Sequence, residues 1–516
     1  MTNSQKKYLT TPIYYVNDVP HIGHSYTTII ADIISRYYRL TGEDVFFLTG
    51  TDEHGQKIEK AAEEKGKTPQ ELVDSVVLRF KELWCELNIS NDNFIRTTDE
   101  IHKDIVQNFF KLVYDKGYIY LGEYEGLYCR PCESYYTETQ VEDNKCPECN
   151  RELTILKEEA FFFKLSKFQD QLLEYIEKNP KFVLPISRKN EVVSFINQGL
   201  TDLCISRTSI SWGIKVPELG LEVKKPHYVY VWFDALLNYL SGIGYTKDEK
   251  NFDKWWPAYV HLIGKDILKF HAVIWPAMLM AADLPIPKHV FGHGFIYQGG
   301  EKMSKSKGNV LDPDTIMAEF GVDAFRYYLT REIVLGLDGT YSYENMLQRY
   351  NSDLANDFGN LLNRSLNMIK KYFDLKIEDF DEAILSESEL CLKNEAIQLE
   401  KKVADNMSEF KLSIVLEDVF TVIRRANKYI EELKPWVLYK DGETKKLMTV
   451  MVQLIEAIKI TATWLSPFMP DSAQKVYDQL NLNIDTDSAR MDLYKWGYFK
   501  KGMILNNPEP IFPRKQ

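Results

Sequence analysis

The chain has 516 residues, too many for one hydrophobic core, so its length predicts a protein of several domains. Hydrophobic residues make up 45% of it and charged residues 27%, a balance that excludes the disordered and fibrous classes. The net charge of -12, from 63 basic and 75 acidic residues, excludes indiscriminate binding to nucleic acid. Any contact with RNA must therefore be local.

Neither a membrane span nor a targeting signal is evident. The apolar stretch at 272–282 is interrupted by Pro276 and is shorter than the roughly 20 residues that cross a bilayer. The few residues before Tyr8 contain no apolar signal core and no Arg-rich leader, which favours a cytoplasmic protein.

Strand-like and helix-like runs alternate at the start of the chain. The predicted order is a strand at 8–16, a helix at 23–40, a strand at 45–48 and a helix from about Gln70. This β, α, β, α order predicts an α/β fold with a doubly wound parallel sheet, whose first half we place at 1–117.

The pattern breaks at 118–227, where turn residues, clustered cysteines and short aromatic strands predict an insertion. Parallel-sheet signals resume at Tyr228–Trp232, in a second half of the sheet domain placed at 228–295. Its further predicted elements are a strand at 259–263, a helix at 267–280 and a strand at 290–295. A basic loop and linker follow at 296–345.

Long amphipathic helices dominate the last third of the chain. One predicted face carries Leu347, Tyr350, Leu354, Phe358 and Leu361, and another carries Val403, Met407, Phe410 and Ile414. The region 346–516 is therefore predicted to be an α-helix bundle.

The sequence His21-Ile22-Gly23-His24 lies where the first predicted strand gives way to the first predicted helix. A helix N-terminus just beyond a parallel strand offers N–H groups and a positive dipole end to phosphate, and the small Gly23 lets a flat base approach. His21 and His24 can donate to phosphate oxygens where negative charge develops. Alone, the quartet is also compatible with structural histidines or half of a metal pair.

A second motif, Lys302-Met303-Ser304-Lys305-Ser306, is followed by Lys307 in a polar loop. Lysines separated by small hydroxyl residues can fold around a triphosphate and stabilise the departing pyrophosphate, which makes Lys302 and Lys305 candidate catalytic residues. An arbitrary basic loop is more often a solvated run of charge.

Four of the seven cysteines form two CxxC pairs, Cys129 with Cys132 and Cys146 with Cys149. This spacing in a reducing compartment is typical of a structural Zn²⁺ held by four thiolates, because a closed tetrahedral shell leaves no position for catalysis. Four unligated cysteines are the competing interpretation. The scattered Cys85, Cys204 and Cys391 are predicted to be core residues.

Together, the HIGH and KMSKS strings resemble the paired signatures of class I aminoacyl-tRNA synthetases. The resemblance implies a Rossmann-type domain in which the carboxylate of an amino acid attacks the α-phosphate of ATP, with Mg²⁺ on the phosphates. It assigns ATP contacts to His21, Gly23, His24, Gly264, Asp266 and Lys305. In this set Gly264 and Asp266 approach the adenosine ribose.

Four sequence blocks, at 11–17, 49–55, 230–235 and 263–266, narrow the resemblance to the methionyl-tRNA synthetases, over essentially the whole chain. An unbranched thioether needs an apolar slot, in which each aromatic contact to sulfur adds about 0.3–1.5 kcal/mol. The resemblance implies that Asp52 binds the substrate ammonium. The resemblance also implies that the slot is formed by Ile13, Tyr15, Trp232, Ala235, Tyr239, Phe270 and His271. Taken singly, most of these aromatic positions would be assigned to a core.

In the helical third, Asn360 and Arg364 lie four residues apart, and Trp436 follows Lys434-Pro435 at a helix end. These positions resemble the anticodon contacts of the family, where an exposed tryptophan stacks on an unpaired base for about 1–3 kcal/mol. Trp436 as an ordinary helix-packing residue is the alternative. The implied partners are L-methionine, ATP and tRNA(Met).

Two other functions remain open at this point. Related synthetases for valine, leucine or isoleucine carry a far larger editing insertion than 118–227 can hold. A catalytically silent paralogue that only binds tRNA is disfavoured by the intact HIGH and KMSKS strings. Some members of the family carry an appended C-terminal dimerisation domain, and since no such segment follows the bundle here, we expect a monomer.

Overall fold

The structure is a computed structural model that describes residues 6–16, 19–129, 134–136, 141, 143–147, 150–298, 301–302, 312–381, 385–484, 486 and 492–516. Lys305, Cys132 and Cys149 lie outside these residues. For Cys129 and Lys302 only the backbone is described.

The N-terminal region alternates strands and helices, as predicted. Its first two strands are almost continuously buried, which is the pattern of parallel strands covered on both faces. In chain order the elements are β1 (Lys6–Tyr15), α1 (Ile22–Leu40), β2 (Asp44–Asp52), α2 (Gln56–Glu64), α3 (Pro69–Glu86), β3 (Asn93–Arg96) and α4 (Glu100–Asp115).

The predicted insertion contains a separate antiparallel sheet and one strand of the main sheet. Its elements are β4 (Ile119–Cys129), β5 (Ser134–Tyr136), β6 (Thr154–Phe163), α5 (Gln169–Lys178), β7 (Val183–Leu184), α6 (Ile186–Asn197), β8 (Leu203–Cys204) and β9 (Ser206–Arg207). The antiparallel sheet has the order β5-β4-β6-β8. Because β7 pairs in parallel with a strand near residue 290, the insertion also extends the main sheet.

The chain then returns to the main sheet through short helices. The elements are β10 (Tyr228–Val229), α7 (Val231–Leu236), α8 (Asn238–Ser241), α9 (Glu249–Trp255), β11 (Val260–Gly264), α10 (Trp275–Ala281), β12 (His289–His293), β13 (Ile296–Gln298) and β14 (Glu301–Lys302). The predicted sheet strand at Tyr228–Trp232 is wrong. β10 pairs antiparallel with β9 for two residues, and α7 starts at Val231. The prediction failed because a short apolar run is compatible with either a strand or a buried helix.

In the part of the chain that the structure describes, the main sheet has six strands in the order β3-β2-β1-β11-β12-β7, and all its pairs are parallel. This confirms the predicted α/β parallel sheet. The strand order reverses between β1 and β11, and ligands of open α/β sheets bind in the crevice at the carboxyl ends of the strands there.

The last third is helical, as predicted, after one more strand that joins β13. Its elements are α11 (Pro313–Phe320), α12 (Val322–Glu332), β15 (Gly339–Tyr341), α13 (Tyr343–Arg349), α14 (Asn360–Phe373), α15 (Glu387–Ser408), α16 (Leu412–Leu433), α17 (Pro435–Lys440), α18 (Thr444–Leu465) and α19 (Pro470–Gln479). A π-helical segment, Tyr350–Gly359, joins α13 to α14.

One helical face was predicted incorrectly. Val403 and Met407 are buried on α15, but Phe410 has a φ of 58° in the turn before α16, and Ile414 is 48% exposed. A single left-handed residue ends the periodicity that the apolar spacing suggests.

Among the described helices, α18 alone is long and apolar enough to cross a membrane, and its apolar window is completely buried inside the protein. It is therefore the central helix of the bundle, in contact with α14, α15, α16, α17 and α19.

Candidate active site

The N-terminus of α1 opens into the crevice at the carboxyl ends of β1 and β11. His21 is the N-cap of α1, and its Nδ1 accepts a hydrogen bond from the backbone N–H of Gly23 at 3.1 Å. The Nδ1 of His24 accepts a hydrogen bond from the backbone N–H of His21 at 3.2 Å. The two imidazoles thus form a reciprocal capping box, and their rings stack with centroids 3.9 Å apart.

This capping box determines which nitrogen of each imidazole carries the proton. A nitrogen that accepts a hydrogen bond carries no proton, so each neutral imidazole keeps its proton on Nε2. Both Nε2–H groups are therefore donors at the positive end of the helix dipole, where anions are favoured.

Gly23 is needed for the cap itself. A Cβ at this position would lie 2.9 Å from Cε1 and 3.1 Å from Nδ1 of His21. Any larger residue would push the capping ring away, so the glycine of the motif makes room for the imidazole in addition to any approaching base.

The opposite side of the crevice is joined to α1 by one buried hydrogen bond. Thr27 Oγ1 on α1 lies 2.7 Å from Nε2 of His293, the last residue of β12. His293 Nδ1 donates to the carbonyl of Gly294 at 2.8 Å, so Nε2 accepts from Thr27. Burial lowers the pKa of His293, and the nearby carboxylate of Asp266 opposes this effect.

Gly264 and Asp266 lie at the carboxyl end of β11, as predicted. A Cβ on Gly264 would meet Asp266 Oδ1 at 2.6 Å, so the glycine lets that carboxylate fold back over the strand end. Asp266 is exposed in the crevice and can accept hydrogen bonds from ligand hydroxyls.

The basic motif begins in a hairpin beside this site. β13 and β14 pair antiparallel, with Tyr297 opposite Lys302, and β13 starts three residues after His293. The loop from Met303 onward, with Lys305, lies outside the described residues. The proximity of Lys305 to His21 therefore stays a prediction.

An apolar cavity lies between the ends of β1 and β2, α7 and the turn after β11. Seven of the eight residues predicted for the methionine site line it: Ile13, Tyr15, Asp52, Trp232, Ala235, Tyr239 and His271. The others in its wall, which the sequence did not single out, are Pro12, Leu236, Asn238 and Ile267. The eighth predicted residue, Phe270, stacks on Trp232 with ring centroids 3.8 Å apart.

The cavity is closed at one end by a neutral pair of polar side chains. His271 Nδ1 donates to the carbonyl of Ile267 at 3.0 Å, and burial lowers the pKa of His271 to about 4. The neutral ring therefore accepts from the Tyr239 hydroxyl at 2.7 Å. The cavity volume is about 20 Å³, enough for about one water molecule, so a thioether side chain enters only if the walls move apart.

Asp52 ends β2 at the polar end of this cavity and is 2% exposed. Burial raises the pKa of Asp52 well above its usual range, the charge of Asp234 raises it further, and the backbone N–H of His54 partly offsets this. Asp52 Oδ1 has no hydrogen-bond partner among the described residues. Since an unpaired buried acceptor is costly, this oxygen is suited to a ligand that brings N–H donors and positive charge.

A buried network of polar side chains, which no sequence motif indicated as a whole, lies behind Asp52. Asp234 Oδ2 lies 2.7 Å from His54 Nδ1, and Asp234 Oδ1 lies 2.7 Å from His102 Nε2. His102 Nδ1 in turn lies 2.7 Å from Ser241 Oγ. His54 and Asp234 stand inside two of the quoted sequence blocks, whereas no motif indicated His102.

A second, larger cavity adjoins the first through Tyr15 and Trp232. Its volume is about 310 Å³, and it lies between the end of β2 and the loop after β9. The charged side chains in its wall are Lys57 and Arg207, and the Arg207 guanidinium lies 5.0 Å from the ring centroid of Tyr230.

The predicted anticodon residues lie on two neighbouring parts of the bundle. Asn360 starts α14, and Arg364 one turn later pairs with Glu431 at 2.7 Å. Trp436 is 42% exposed on α17, directly after the left-handed Lys434 that ends α16. Part of its indole is therefore accessible to a ligand.

Of the predicted metal ligands, only Cys146 has a described side chain. It is buried, and hydrogen bonds from Cys146 N to Arg151 O and from Asn150 N to Cys146 O, each 2.8 Å, close a tight turn. Among the described residues no group of three His, Cys, Asp or Glu side chains is arranged for a metal ion, but the other three thiols fall outside that set.

Two protein-family models match this chain. A family model described as tRNA synthetases class I (M) matches residues 7–154 and 150–366. A second, the anticodon binding domain of methionyl tRNA ligase, matches residues 382–515.

Individual relatives match along nearly the whole chain. The methionine–tRNA ligase of Caldanaerobacter subterraneus subsp. tengcongensis is 49% identical over 515 residues, which cover 98% of this chain and 78% of that protein. The corresponding ligase of Clostridium perfringens is 50% identical, with 98% and 78% covered. The structure of Mycobacterium tuberculosis methionyl-tRNA synthetase in complex with methionyl-adenylate matches with a TM-score of 0.90 at 39% identity, covering 99% of this chain and 100% of that one.

Proposed function

The chain belongs to the methionyl-tRNA synthetase family of class I, and on that premise we propose how its residues activate L-methionine with ATP and charge tRNA(Met). The observation that carries the assignment of the site is Asp52 Oδ1, a buried oxygen at the end of an apolar cavity to which no other described residue donates a hydrogen bond. The ammonium of methionine binds there, and its side chain enters the cavity.

The N-terminus of α1 then receives the phosphates. A carboxylate oxygen of methionine attacks the α-phosphorus of ATP, the bond to the bridging oxygen breaks, and pyrophosphate leaves with the bonding electrons. The Nε2–H donors of His21 and His24 stabilise the charge that develops on the phosphate oxygens. Lys302 and Lys305 hold the departing pyrophosphate, Mg²⁺ accompanies the ATP phosphates, and Gly264 with Asp266 receives the ribose.

Specificity for methionine follows from the neutral end of the cavity. Because His271 is held uncharged and bonded to Tyr239, a charged side chain would be buried there without a counter-ion, which costs several kcal/mol or more. The stacked Trp232 and Phe270 offer flat, polarizable walls to sulfur.

The adjoining cavity of about 310 Å³ is the proposed entrance for the 3' end of the tRNA. Its wall combines Lys57 and Arg207 with the aromatic ring of Tyr230, a combination that suits phosphates and an unpaired base. Since it shares Tyr15 and Trp232 with the methionine cavity, the terminal ribose would lie next to the adenylate.

Trp436→Ala should separate the two halves of the reaction. We expect kcat/KM for aminoacylation to fall about tenfold to a hundredfold, since base stacking contributes about 1–3 kcal/mol. Methionine-dependent exchange of pyrophosphate into ATP should stay at the wild-type rate, because the exposed indole lies on the bundle. Trp436→Phe, which keeps an aromatic face, is the control. Equal loss of both activities would instead assign Trp436 to folding.

A structural Zn²⁺ on Cys129, Cys132, Cys146 and Cys149 is proposed for the insertion. The cluster of buried apolar residues around Cys146 contains only one other member, Leu153, among the described residues. Four thiolates around one ion would stabilise this part of the insertion.

Metal analysis of the purified protein should find about one zinc per chain, as a four-thiolate site binds a single ion. Cys146→Ser should lose the metal and lower the melting temperature of the insertion. The matched control is Cys204→Ser, which changes a buried cysteine outside the two pairs and should retain full zinc. Zinc retained by Cys146→Ser would rule out this ligand set.

The proposed activity is tested by methionine-dependent exchange of labelled pyrophosphate into ATP, followed by charging of tRNA(Met). A well-folded protein without exchange would be a silent tRNA-binding paralogue.

We further propose that the enzyme is a cytoplasmic monomer, with the sheet, insertion, linker and bundle divided at residues 118, 228, 296 and 346.

A further inference from the structure

We propose that Asp52 exchanges a proton for the ammonium group of methionine, and that buried Asp234, fixed by His54 and His102, is the positioning residue that sets this exchange. The inference rests on the proposed function, because it takes Asp52 as the ammonium site. It gives a role to a buried carboxylate that the activation chemistry does not otherwise use.

The geometry places Asp234 as a fixed negative charge. It is completely buried, and an imidazole nitrogen lies 2.7 Å from each of its oxygens. Because a carboxylate only accepts hydrogen bonds, both of these nitrogens carry protons. Burial alone would raise the pKa of Asp234, but the two histidines outweigh it and lower that pKa, so this group keeps its charge.

The network is also rigid. His54 follows β2, His102 is on α4, and Asp234 and Ser241 are on α7 and α8. His102 Nδ1 reaches Ser241 Oγ at 2.7 Å. Four elements are thereby tied to one carboxylate directly behind the cavity.

Asp52 is the group whose protonation changes when methionine binds. The titratable groups acting on it are Asp234, Glu53 and Tyr15. Glu53 is neutralised by Arg96, which pairs with both of its oxygens at 2.8 and 2.9 Å. Tyr15 donates a hydrogen bond to Asp52, so Asp234 is the ionised acidic neighbour that favours a proton on Asp52.

Methionine binding then exchanges one proton on Asp52 for the positive charge of the substrate ammonium. The empty site holds the neutral acid of Asp52, which avoids a second buried negative charge close to Asp234. When the ammonium of methionine arrives, Asp52 releases its proton to solvent and pairs as a carboxylate. Methionine affinity is therefore full above the raised pKa of Asp52 in the free enzyme. It falls up to tenfold for each pH unit below that pKa.

Calorimetric titration of the enzyme with L-methionine, in two buffers of different ionisation enthalpy, measures this exchange. We expect the wild type to release up to one proton per methionine bound, and Asp52→Asn to release none. In Asp234→Asn the acidic limb of the affinity profile should move to lower pH, with about tenfold weaker binding on the alkaline plateau. Asp323→Asn changes another buried carboxylate of raised pKa, far from the cavity, and should leave the profile unchanged.

If Asp234→Asn does not fold, His102→Leu is the second variant. It removes one of the two donors that keep Asp234 ionised, and it should move the acidic limb of the affinity profile to lower pH by a smaller amount. Methionine binding without proton release in the wild type, measured on the acidic limb of its affinity profile, would overturn the inference and leave the proposed function standing. Release that persists unchanged in Asp234→Asn, or in His102→Leu where that variant is used, would overturn it as well. No methionine binding at all would contradict the proposed function itself.

Discussion

Asp52→Asn should raise the KM for methionine about 10²- to 10³-fold at neutral pH, with little change in the KM for ATP. The substitution leaves the substrate ammonium in a buried site without a counter-ion, and breaking such a pair costs about 3–5 kcal/mol. Asp52 is 2% exposed, so water cannot replace the lost carboxylate. Steady-state pyrophosphate exchange over a range of methionine concentrations measures the effect.

The control for this prediction is again Asp323→Asn. Asp323 is buried, accepts a hydrogen bond from the backbone N–H of Ser472, and has an oxygen without a partner among the described residues. The Asp323→Asn substitution should lower the stability of the protein and leave the KM for methionine and the KM for ATP unchanged. A wild-type KM for methionine in Asp52→Asn would show that Asp52 does not bind the ammonium. The proposed orientation of the substrate would then be wrong as well.

His21→Asn should lower kcat for adenylate formation about 10²- to 10³-fold, the usual loss for one donor to a developing oxyanion. Asparagine is among the best N-cap residues, so α1 keeps its cap while the Nε2–H donor is lost. Methionine affinity should be nearly unchanged, because the ammonium site is at β2. Single-turnover formation of the adenylate measures the chemical step directly.

Comparison with His21→Ala separates catalysis from capping. Alanine loses the cap as well as the donor and should cost about 1 kcal/mol more in stability, with the same loss in kcat. If His21→Asn forms adenylate at the wild-type rate and only His21→Ala is slow, the imidazole acts only as a cap.

The sequence predicted the location of candidate site residues where a local motif coincides with a strand end. The capping histidines, Gly264 with Asp266, and seven residues of one cavity are brought together at the carboxyl ends of β1, β2 and β11. This works because parallel strands deliver their ends to one edge of the sheet, so residues distant in sequence meet there.

The errors arise where tertiary contacts override a local pattern. The run at Tyr228–Trp232 has strand-like composition, yet α7 begins inside it and directs Asp234 towards His54 and His102. His102 stands on α4 with no motif around it, and only the fold brings it to Asp234. The turn at Phe410 likewise depends on one left-handed residue that apolar spacing cannot reveal.

A crystal structure of the protein with a non-hydrolysable analogue of methionyl-adenylate would locate the substrate in the crevice. We expect the ammonium within hydrogen-bond distance of Asp52 Oδ1, the thioether between Trp232 and His271, and the phosphate mimic facing His21 and His24. An analogue bound with its ammonium elsewhere, leaving Asp52 Oδ1 without a partner, would contradict this placement.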